Sequence, residues 1–416
     1  MIKKQKTVTH IMFIYWILVI LWQTFRPVGN RSIVDIAVKI ILFSFVCIYA
    51  WNHQNARRSG VVQSFLIVFI LTQLFTIFLD VLSLSTVITF VFMVAQIVVF
   101  LVLLRNSTID YKQLLQFGKW LIITALFMSV YNIVFRFNRF SLLFTGGGGY
   151  GAECRSFLYS NHEFAVYLSV AILFLINSLF ETKKRRIYKF VTLIIFVLNL
   201  LSTYSRTAIL GCFIAVAVLL LINNKYWFFV YLGAIAIIFL ISNNNATVYD
   251  FIYNQLFKGE NSTNNSIFVD QGRLEMYSGE LSFFINANLV QKIFGRGYVG
   301  GVVGGGHNAY LYILNIGGIV MFVLFMFIIV WSIINALKCY RFNKKITSIC
   351  LSMQLFSLLY MLVQTPILFF STMDSYFITI IFVIIPLYCL NNFELQFFRQ
   401  QKLKKFNEES NESFTS

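Results

Sequence analysis

Apolar runs of about twenty residues recur through most of the chain, with short polar breaks between them. A helix needs about 20 predominantly apolar residues to cross a lipid bilayer. Twelve such runs can be distinguished, starting near Ile11, Ile33, Val61, Leu84, Gly118, Phe164, Phe190, Thr207, Trp227, Tyr310, Ile346 and Phe377. The pattern predicts an all-α polytopic integral membrane protein with about 12 transmembrane helices, in which residues 1–416 form a single membrane domain.

The composition argues against the common soluble classes. Hydrophobic residues make up 59% of the 416 residues and charged residues only 12%, which is about half of the roughly 25% found in soluble proteins. A formal charge of +17 would suggest nucleic-acid binding in a soluble protein, but no nucleic-acid partner is expected here. His10, His53 and His162 are spread too widely to predict a metal site, and no cofactor is expected.

The Lys and Arg residues predict the orientation, because cytoplasmic loops of membrane proteins are enriched in them. With the N-terminus in the cytoplasm, 22 of the 33 fall in cytoplasmic segments, 10 fall outside, and Lys39 lies within a span. Both termini are therefore expected in the cytoplasm, with a cytoplasmic tail at 391–416. Asp35 lies one helical turn from Lys39, which favours a structural pair over a proton or substrate path.

Two external loops are longer than a connection requires, and loops of this kind are often functional. The first covers 136–163 and is rich in glycine, and the second covers 243–309. The second loop predicts an amphipathic helix that begins at Arg273, with Asp270 as its N-cap. Its apolar stripe consists of Leu274, Tyr277, Leu281 and Phe284. Such a helix could lie on the outer membrane face and close over a cavity.

Two residues stand out as candidates for chemistry near the outer surface. His307 ends a glycine-rich run, and an imidazole titrates close enough to neutrality to accept a proton from a sugar hydroxyl. Its alternative role is to cap a helix at the water interface. Arg206 lies in the short turn between the seventh and eighth spans, where its planar fork suits phosphate. Its alternative role is to extend toward lipid headgroups.

Other charged residues are weaker candidates on their own. Arg155 lies in the first external loop, whereas Arg273 and Arg296 lie in the second. Glu280 follows Arg273 by two helical turns and could pair with it. Residues 295–300 match the dinucleotide-binding motif G-x-G-x-x-G. That motif requires a preceding strand and a following helix in a βαβ unit, whereas here further glycines follow in a segment expected outside the membrane. A dinucleotide site is therefore rejected.

Four segments together resemble, in the same order, motifs of the bacterial O-antigen and capsular polysaccharide polymerases and the O-antigen ligases. The four segments are 155–165, 205–210, 272–277 and 297–318. They correspond to the family's Arg…Asn…Ala segment, its Ser-Arg-x-Ala turn, its Gly-Arg element and its Gly-x-Gly…His-Asn motif. The chain departs from the family at Tyr277, where Trp is common, and in the number of glycines before His307.

This resemblance implies a GT-C-type helical fold and an inverting, metal-independent glycosyltransferase in the bacterial cytoplasmic membrane. The donor would be a glycan on undecaprenyl diphosphate, and the acceptor a second glycan. His307 would activate or orient the acceptor hydroxyl, and Arg206 and Arg273 would hold the diphosphate. The expected substrate-binding residues are Arg155, Asn161, Glu280, Arg296 and Asn308. Membrane lipids, a flippase and a chain-length regulator are the further partners expected.

Three functions are compatible with this pattern. A polysaccharide polymerase would join lipid-linked repeat units into a capsular, exopolysaccharide or O-antigen chain. A ligase of the same family would move a finished glycan to a different acceptor. A lipid-linked oligosaccharide flippase or other transporter is less favoured, because transporters place their polar residues near the bilayer midplane, whereas here they concentrate at the outer face.

Overall fold

The structure, a computed structural model, describes residues 111–145, 153–156, 158, 160–181, 185–246, 248–249, 273–297, 307–341 and 343–364, with the single residues 68, 71 and 381. Within them the chain is helical and has no strand. The predicted spans that start near Ile11, Ile33, Val61, Leu84 and Phe377 fall almost entirely outside the described residues. Asp270 and the predicted tail at 391–416 lie outside them as well.

The described residues form ten helices. In chain order they are α1 (Tyr111–Phe135), α2 (Phe137–Thr145), α3 (Asn161–Glu181), α4 (Arg186–Ser202), α5 (Arg206–Asn223), α6 (Lys225–Asn244), α7 (Arg273–Ile285), α8 (Leu289–Phe294), α9 (Ala309–Cys339) and α10 (Lys344–Met361). The seven predicted spans that fall among the described residues correspond to α1, α3, α4, α5, α6, α9 and α10. The two segments predicted as external loops contain α2, α7 and α8.

Five of these helices, α1, α3, α5, α6 and α9, are long and apolar enough to cross a membrane. The α6 helix shows why a bilayer is needed. Within its most apolar stretch of 18 residues, only 6% of the residues are buried in the protein. Phe229 and Phe239 on this helix are 66% and 64% exposed. A contiguous apolar surface of this kind is unfavourable in water. The described part of the chain is therefore a helical membrane protein.

The α3 helix lies at the centre of the bundle, in contact with α1, α4, α5 and α10. The helices are also joined by buried polar side chains. Asn132 of α1 donates to Asn199 of α4 at 3.2 Å, and Gln354 of α10 donates to Ser332 of α9 at 2.8 Å. Such bonds add to packing between membrane helices, where the hydrophobic effect contributes little.

The α9 helix is interrupted at Gly318, which has φ 64° and ψ −168°. The C-terminal end of α8 packs directly against this break. A Cβ atom on Gly318 would lie 2.4 Å from the carbonyl oxygen of Ile293, and one on Gly295 would lie 2.1 Å from that of Ile316. Arg296 also donates its backbone N–H to the carbonyl of Asn315 at 3.0 Å. Glycine is needed at both contact positions because the two backbones touch.

We expect the substitution Gly318→Ala to detach the α7–α8 segment from α9. The positive φ alone should lower the free energy of unfolding by about 1–3 kcal/mol, and the clash with Ile293 adds to that cost. Thermal unfolding of the detergent-solubilised protein measures the effect. Gly233→Ala on α6 is the matched control, since nothing lies within 4 Å of its added methyl group. Equal unfolding temperatures for the two variants would contradict the contact.

Candidate functional site

The candidate site is organised around the turn Thr203–Ser205, which joins α4 to α5. Tyr204 in this turn has φ 50°, a left-handed conformation that is costly for a bulky side chain. Tyr204 is nevertheless 3% exposed, and Thr203 and Ser205 are also buried. The surrounding structure must therefore hold the turn in place.

Two hydrogen bonds to backbone carbonyls hold the turn. Cys154 donates its N–H to the carbonyl of Ser202 at 3.0 Å. Asn161, the first residue of α3, donates its side-chain amide to the carbonyl of Thr203 at 2.9 Å. Both acceptors lie at the C-terminal end of α4, where carbonyls lack partners within the helix. The segment before α3 and the start of α3 are thereby fastened to the same turn.

His162 connects this turn to a second part of the chain. Its Nδ1 atom lies 3.0 Å from the hydroxyl oxygen of Ser205. The side-chain nitrogen of Gln364 lies 3.4 Å from both ring nitrogens of His162, so the amide packs against the imidazole ring. The carbonyl of Gln364 in turn accepts the N–H of Ala309 at 3.1 Å. The starts of α3, α5 and α9 are therefore linked through two side chains.

His162, Ser205 and Gln364 form a cluster, which we call the His162 cluster, and His307 is held near it by hydrogen bonds to its backbone. The hydroxyl of Tyr277 on α7 donates to the carbonyl of His307 at 3.4 Å and to that of Leu362 at 3.2 Å. His307 is half-buried and immediately precedes Asn308. The α7 helix, the start of α9 and the segment after α10 thus meet beside Gln364.

Three helix N-termini converge here, and each carries a partial positive charge that favours an anion. The helices differ in whether a side chain caps the N–H groups of their first turn. Asn308 caps α9, because its side-chain oxygen accepts the N–H groups of Tyr310 and Leu311. Ser205 occupies the N-cap position of α5 but makes no side-chain cap, since its hydroxyl is turned toward His162. The N–H groups of the first turn of α5 are therefore not capped by Ser205.

The structure brings several of the sequence-predicted residues to this cluster. Arg206 is the first residue of α5, and its Nε and Nη2 atoms are buried. Arg155 is exposed in the segment that Cys154 fastens to α4. Arg273 begins α7, one helical turn before Tyr277. Asn161 bonds the turn itself, and Asn308 serves as the cap of α9.

Arg296 and Glu280 lie elsewhere, where α7 and α8 pack on α9. The guanidinium group of Arg296 donates to the carbonyl of Phe283 at 2.9 Å and lies 3.7 Å from the centre of its ring. Asn315 donates its side-chain amide to the carbonyl of Glu280 at 3.1 Å. Asn315 follows Asn308 by seven residues, which is about 10 Å along a helix. Both predicted residues therefore lie where α7 and α8 pack on α9, apart from the His162 cluster.

The carboxyl group of Glu280 is in an unusual environment for an acid. Glu280 is 2% exposed, and its Oε2 atom has no hydrogen-bond partner among the described residues. Burial raises its pKa to about 7 from an ordinary value of 4.5, because the ionised form loses its hydration. The apolar stripe predicted for this helix is only partly buried, since Leu281 is 45% exposed.

Sequence reasoning missed three residues of the cluster. His162 and Ser205 lie within motif segments, but their side chains were given no role there. Gln364 lies outside every motif, and only the fold brings it to His162, which precedes it by 202 residues. Among the described residues, no three His, Cys, Asp or Glu side chains lie close enough together to hold a metal ion.

Comparison with known proteins does not identify the chain. No protein-family model matches it, and no curated protein matches it either. The likeness of its four motif segments to the polymerases and ligases is therefore a hypothesis about family. We therefore infer the function from the geometry of the cluster and of the surfaces beside it.

We expect Glu280→Gln to remove a pH dependence from stability. The folded-state pKa of Glu280 lies above that of the unfolded chain, so the folded state binds the extra proton. Stability should therefore fall as the pH rises from about 4.5 to about 7, and this loss should be complete above that range. Thermal unfolding at several pH values measures the difference between parent and variant.

The control for this prediction is Glu275→Gln, which removes an exposed carboxylate from the same helix. It should leave the pH dependence of the parent unchanged. A Glu280→Gln variant whose unfolding temperature follows that of the parent at every pH would mean that Glu280 is hydrated in the folded protein.

Proposed function

We propose that the chain is a polysaccharide polymerase that joins undecaprenyl-diphosphate-linked repeat units at the outer face of the bacterial cytoplasmic membrane. The observation that carries this proposal is the convergence of three helix N-termini with Arg206 and His307. Cationic groups and helix N-termini together favour an anion such as a diphosphate. An imidazole close by supplies a group that can accept a proton.

An apolar groove supports a lipid-linked donor. It lies between α3, α4, α5 and α6, has a volume of about 690 Å³, and is lined almost entirely by apolar side chains. At one end its lining includes Leu200, Leu201 and Ile209, which flank the Thr203–Ser205 turn. At the other end it includes Arg186. The groove therefore starts beside the proposed diphosphate site.

The length of the groove favours a long hydrocarbon chain. From Arg186 to Leu200 it follows α4 for fourteen residues, or about 21 Å. One leaflet of a bilayer core is about 15 Å thick. A polyprenyl chain attached to a diphosphate at the Arg206 end could therefore lie along the groove into the second leaflet.

The proposed reaction is a direct displacement. A hydroxyl oxygen of the acceptor glycan attacks the anomeric carbon of the donor and forms the new glycosidic bond. The bond from that carbon to the diphosphate oxygen breaks, and its electron pair leaves with the diphosphate. His307 accepts the hydroxyl proton and releases it to water, while Arg206 and Arg273 stabilise the charge of the leaving group. Attack from the opposite face inverts the anomeric centre.

The proposal also includes the architecture of the whole chain. It comprises about 12 transmembrane helices in a GT-C-type arrangement, with both termini in the cytoplasm. The N-termini of α3, α5 and α9 then face the outer side, together with the loops at 136–163 and 243–309. A flippase would deliver the lipid-linked units to that side, and a chain-length regulator would act on the product.

Two other functions remain alternatives. A ligase would use the same donor site with a different acceptor. A transporter is favoured by one observation, the break of α9 at Gly318, because transporters bind substrates at interrupted helices. The end of α8 packs against this break, however, and leaves backbone in contact with backbone. That packing fills the position that a transported ligand would occupy, and the polymerase is preferred.

The direct test uses the purified full-length protein in nanodiscs with the native lipid-linked repeat unit and without nucleotide. A product ladder spaced by one repeat unit would establish the polymerase. Unchanged repeat units would contradict it. A second assay would then supply candidate glycan acceptors for a ligase and measure lipid flipping for a transporter.

His307→Ala should lower the polymerisation rate by about 10²–10⁴-fold, because it removes the group assigned to accept the hydroxyl proton. The rate of ladder formation is the measurement. His53→Ala is the control, since the sequence places His53 near the cytoplasmic side. Near-normal product from His307→Ala would remove the imidazole from the reaction.

Arg206→Lys should lower the rate by roughly 100-fold, because lysine keeps the charge and loses the planar fork that binds two phosphate oxygens. The matched control is Arg341→Lys, at an exposed position after α9. If Arg206→Lys were as active as the parent, Arg206 would serve only to anchor the chain at the membrane surface.

A further inference from the structure

The pair formed by His162 and Ser205 has no role in the reaction described above. Ser205 is 2% exposed and occupies the N-cap of α5. Serine at this position usually accepts an N–H of the first helical turn. Here its hydroxyl instead lies 3.0 Å from Nδ1 of His162. This exchange leaves the start of α5 without a cap from Ser205 and ties its first turn to an imidazole.

The position of the imidazole is set from three sides. Asn161, its neighbour in α3, is bonded to the carbonyl of Thr203. The backbone N–H of His162 donates to the hydroxyl of Ser160 at 3.1 Å. The side-chain nitrogen of Gln364 lies 3.4 Å from both ring nitrogens, and the backbone carbonyl of Gln364 accepts the N–H of Ala309 at the start of α9. The ring therefore lies between the first turns of α5 and α9.

The direction of the hydrogen bond depends on the charge of the ring. A neutral imidazole with an unprotonated Nδ1 accepts the hydrogen of the Ser205 hydroxyl. An imidazolium ion carries a hydrogen on Nδ1 and donates it to the Ser205 oxygen instead. The hydroxyl hydrogen is then free to be donated to another acceptor. Protonation of His162 thus turns Ser205 from a donor toward the ring into a donor toward a ligand.

We propose that His162 and Ser205 form a proton-coupled part of the diphosphate site, in which the imidazolium form binds the lipid-linked diphosphate. This proposal rests on the proposed function, since it requires a diphosphate at the start of α5. The ligand class is a polyprenyl diphosphate. Its phosphate oxygens accept the freed hydroxyl hydrogen of Ser205 together with N–H groups of the first turn of α5 and the guanidinium group of Arg206.

The charges around His162 make binding and protonation depend on each other. The charged and titratable residues nearest to it on the described parts of these elements are Glu163 and Tyr167 on α3, Glu153, Cys154 and Arg155 in the preceding segment, Tyr204 and Arg206 at the turn and start of α5, and His307 before α9. The segment 361–364 contributes none. Before a diphosphate binds, the positive charges of Arg155 and Arg206 disfavour an imidazolium ion, whereas the negative charge of Glu163 favours it. A diphosphate adds negative charge and draws a proton onto the ring.

The test measures binding of farnesyl diphosphate to the purified full-length protein by titration calorimetry at pH 6 and pH 8. Use of two buffers with different ionisation enthalpies gives the number of protons taken up. The parent should bind about tenfold more tightly at pH 6 than His162→Gln does, and only the parent should take up an additional proton. Comparison at the same pH cancels the titration of the diphosphate itself.

Two further variants make the test specific. Ser205→Ala removes only a hydroxyl group and should weaken binding at pH 6 by about tenfold, which provides a second test if His162→Gln does not fold. His307→Gln should lose polymerisation and keep the pH dependence of diphosphate binding, because His307 is assigned to the acceptor hydroxyl.

The outcomes separate this inference from the proposed function. Equal affinity and equal proton uptake in the parent and in His162→Gln would overturn the role of the pair while leaving the diphosphate site in place. Absence of farnesyl diphosphate binding to the parent at either pH would overturn the proposed function and this inference together. Loss of pH dependence in His307→Gln as well would assign the proton to His307 and overturn the inference.

Discussion

A helix ends with carbonyl groups that have no partner inside the helix, and at the end of α4 these carbonyls organise the candidate site. The carbonyl of Ser202 accepts Cys154, and that of Thr203 accepts Asn161. These two bonds bring the segment before α3 and the first turn of α3 to the same three-residue turn. The left-handed conformation of Tyr204 then sends the chain directly into α5. The positions of Arg206 and His162 both follow from how this one helix end is satisfied.

Much of the helical framework could be predicted from hydropathy, because each apolar run is long and the polar breaks are distinct. The helix that begins at Arg273 was also predicted, from its periodicity. The packing at Gly318 could not be, since Gly317 and Gly318 weaken a helix locally but nothing in the sequence indicates that α8 packs there. The sequence also did not predict which side of α7 is buried. Glu280 is buried while Leu281 is 45% exposed, which is the reverse of what their polarity predicts.

In the candidate site too, residues marked by their neighbours in sequence could be predicted, whereas contacts between distant parts of the chain could not. Arg206 was predicted because an arginine in a very short turn is conspicuous, and His307 because a histidine follows a glycine-rich run. The contacts of His162 with Ser205 and Gln364 join three separate parts of the chain. A short sequence motif cannot indicate contacts between residues that lie far apart in the chain. It also does not indicate which of its own side chains makes such a contact. Arg296 is predicted to bind substrate, and the contact of its guanidinium group with the carbonyl of Phe283 is one that the sequence does not indicate.

The turn at the end of α4 also separates two environments that an amphiphilic substrate requires. On one side are helix N-termini and cationic groups, and on the other begins an apolar groove lined by Leu200, Leu201 and Ile209. A free sugar phosphate would use only the first environment and an ordinary hydrocarbon only the second. A ligand that joins a diphosphate to a long apolar chain uses both at once, and the rigidity of the turn keeps the distance between them constant. This coincidence of two surfaces at one turn favours a lipid-linked donor more strongly than either surface does alone.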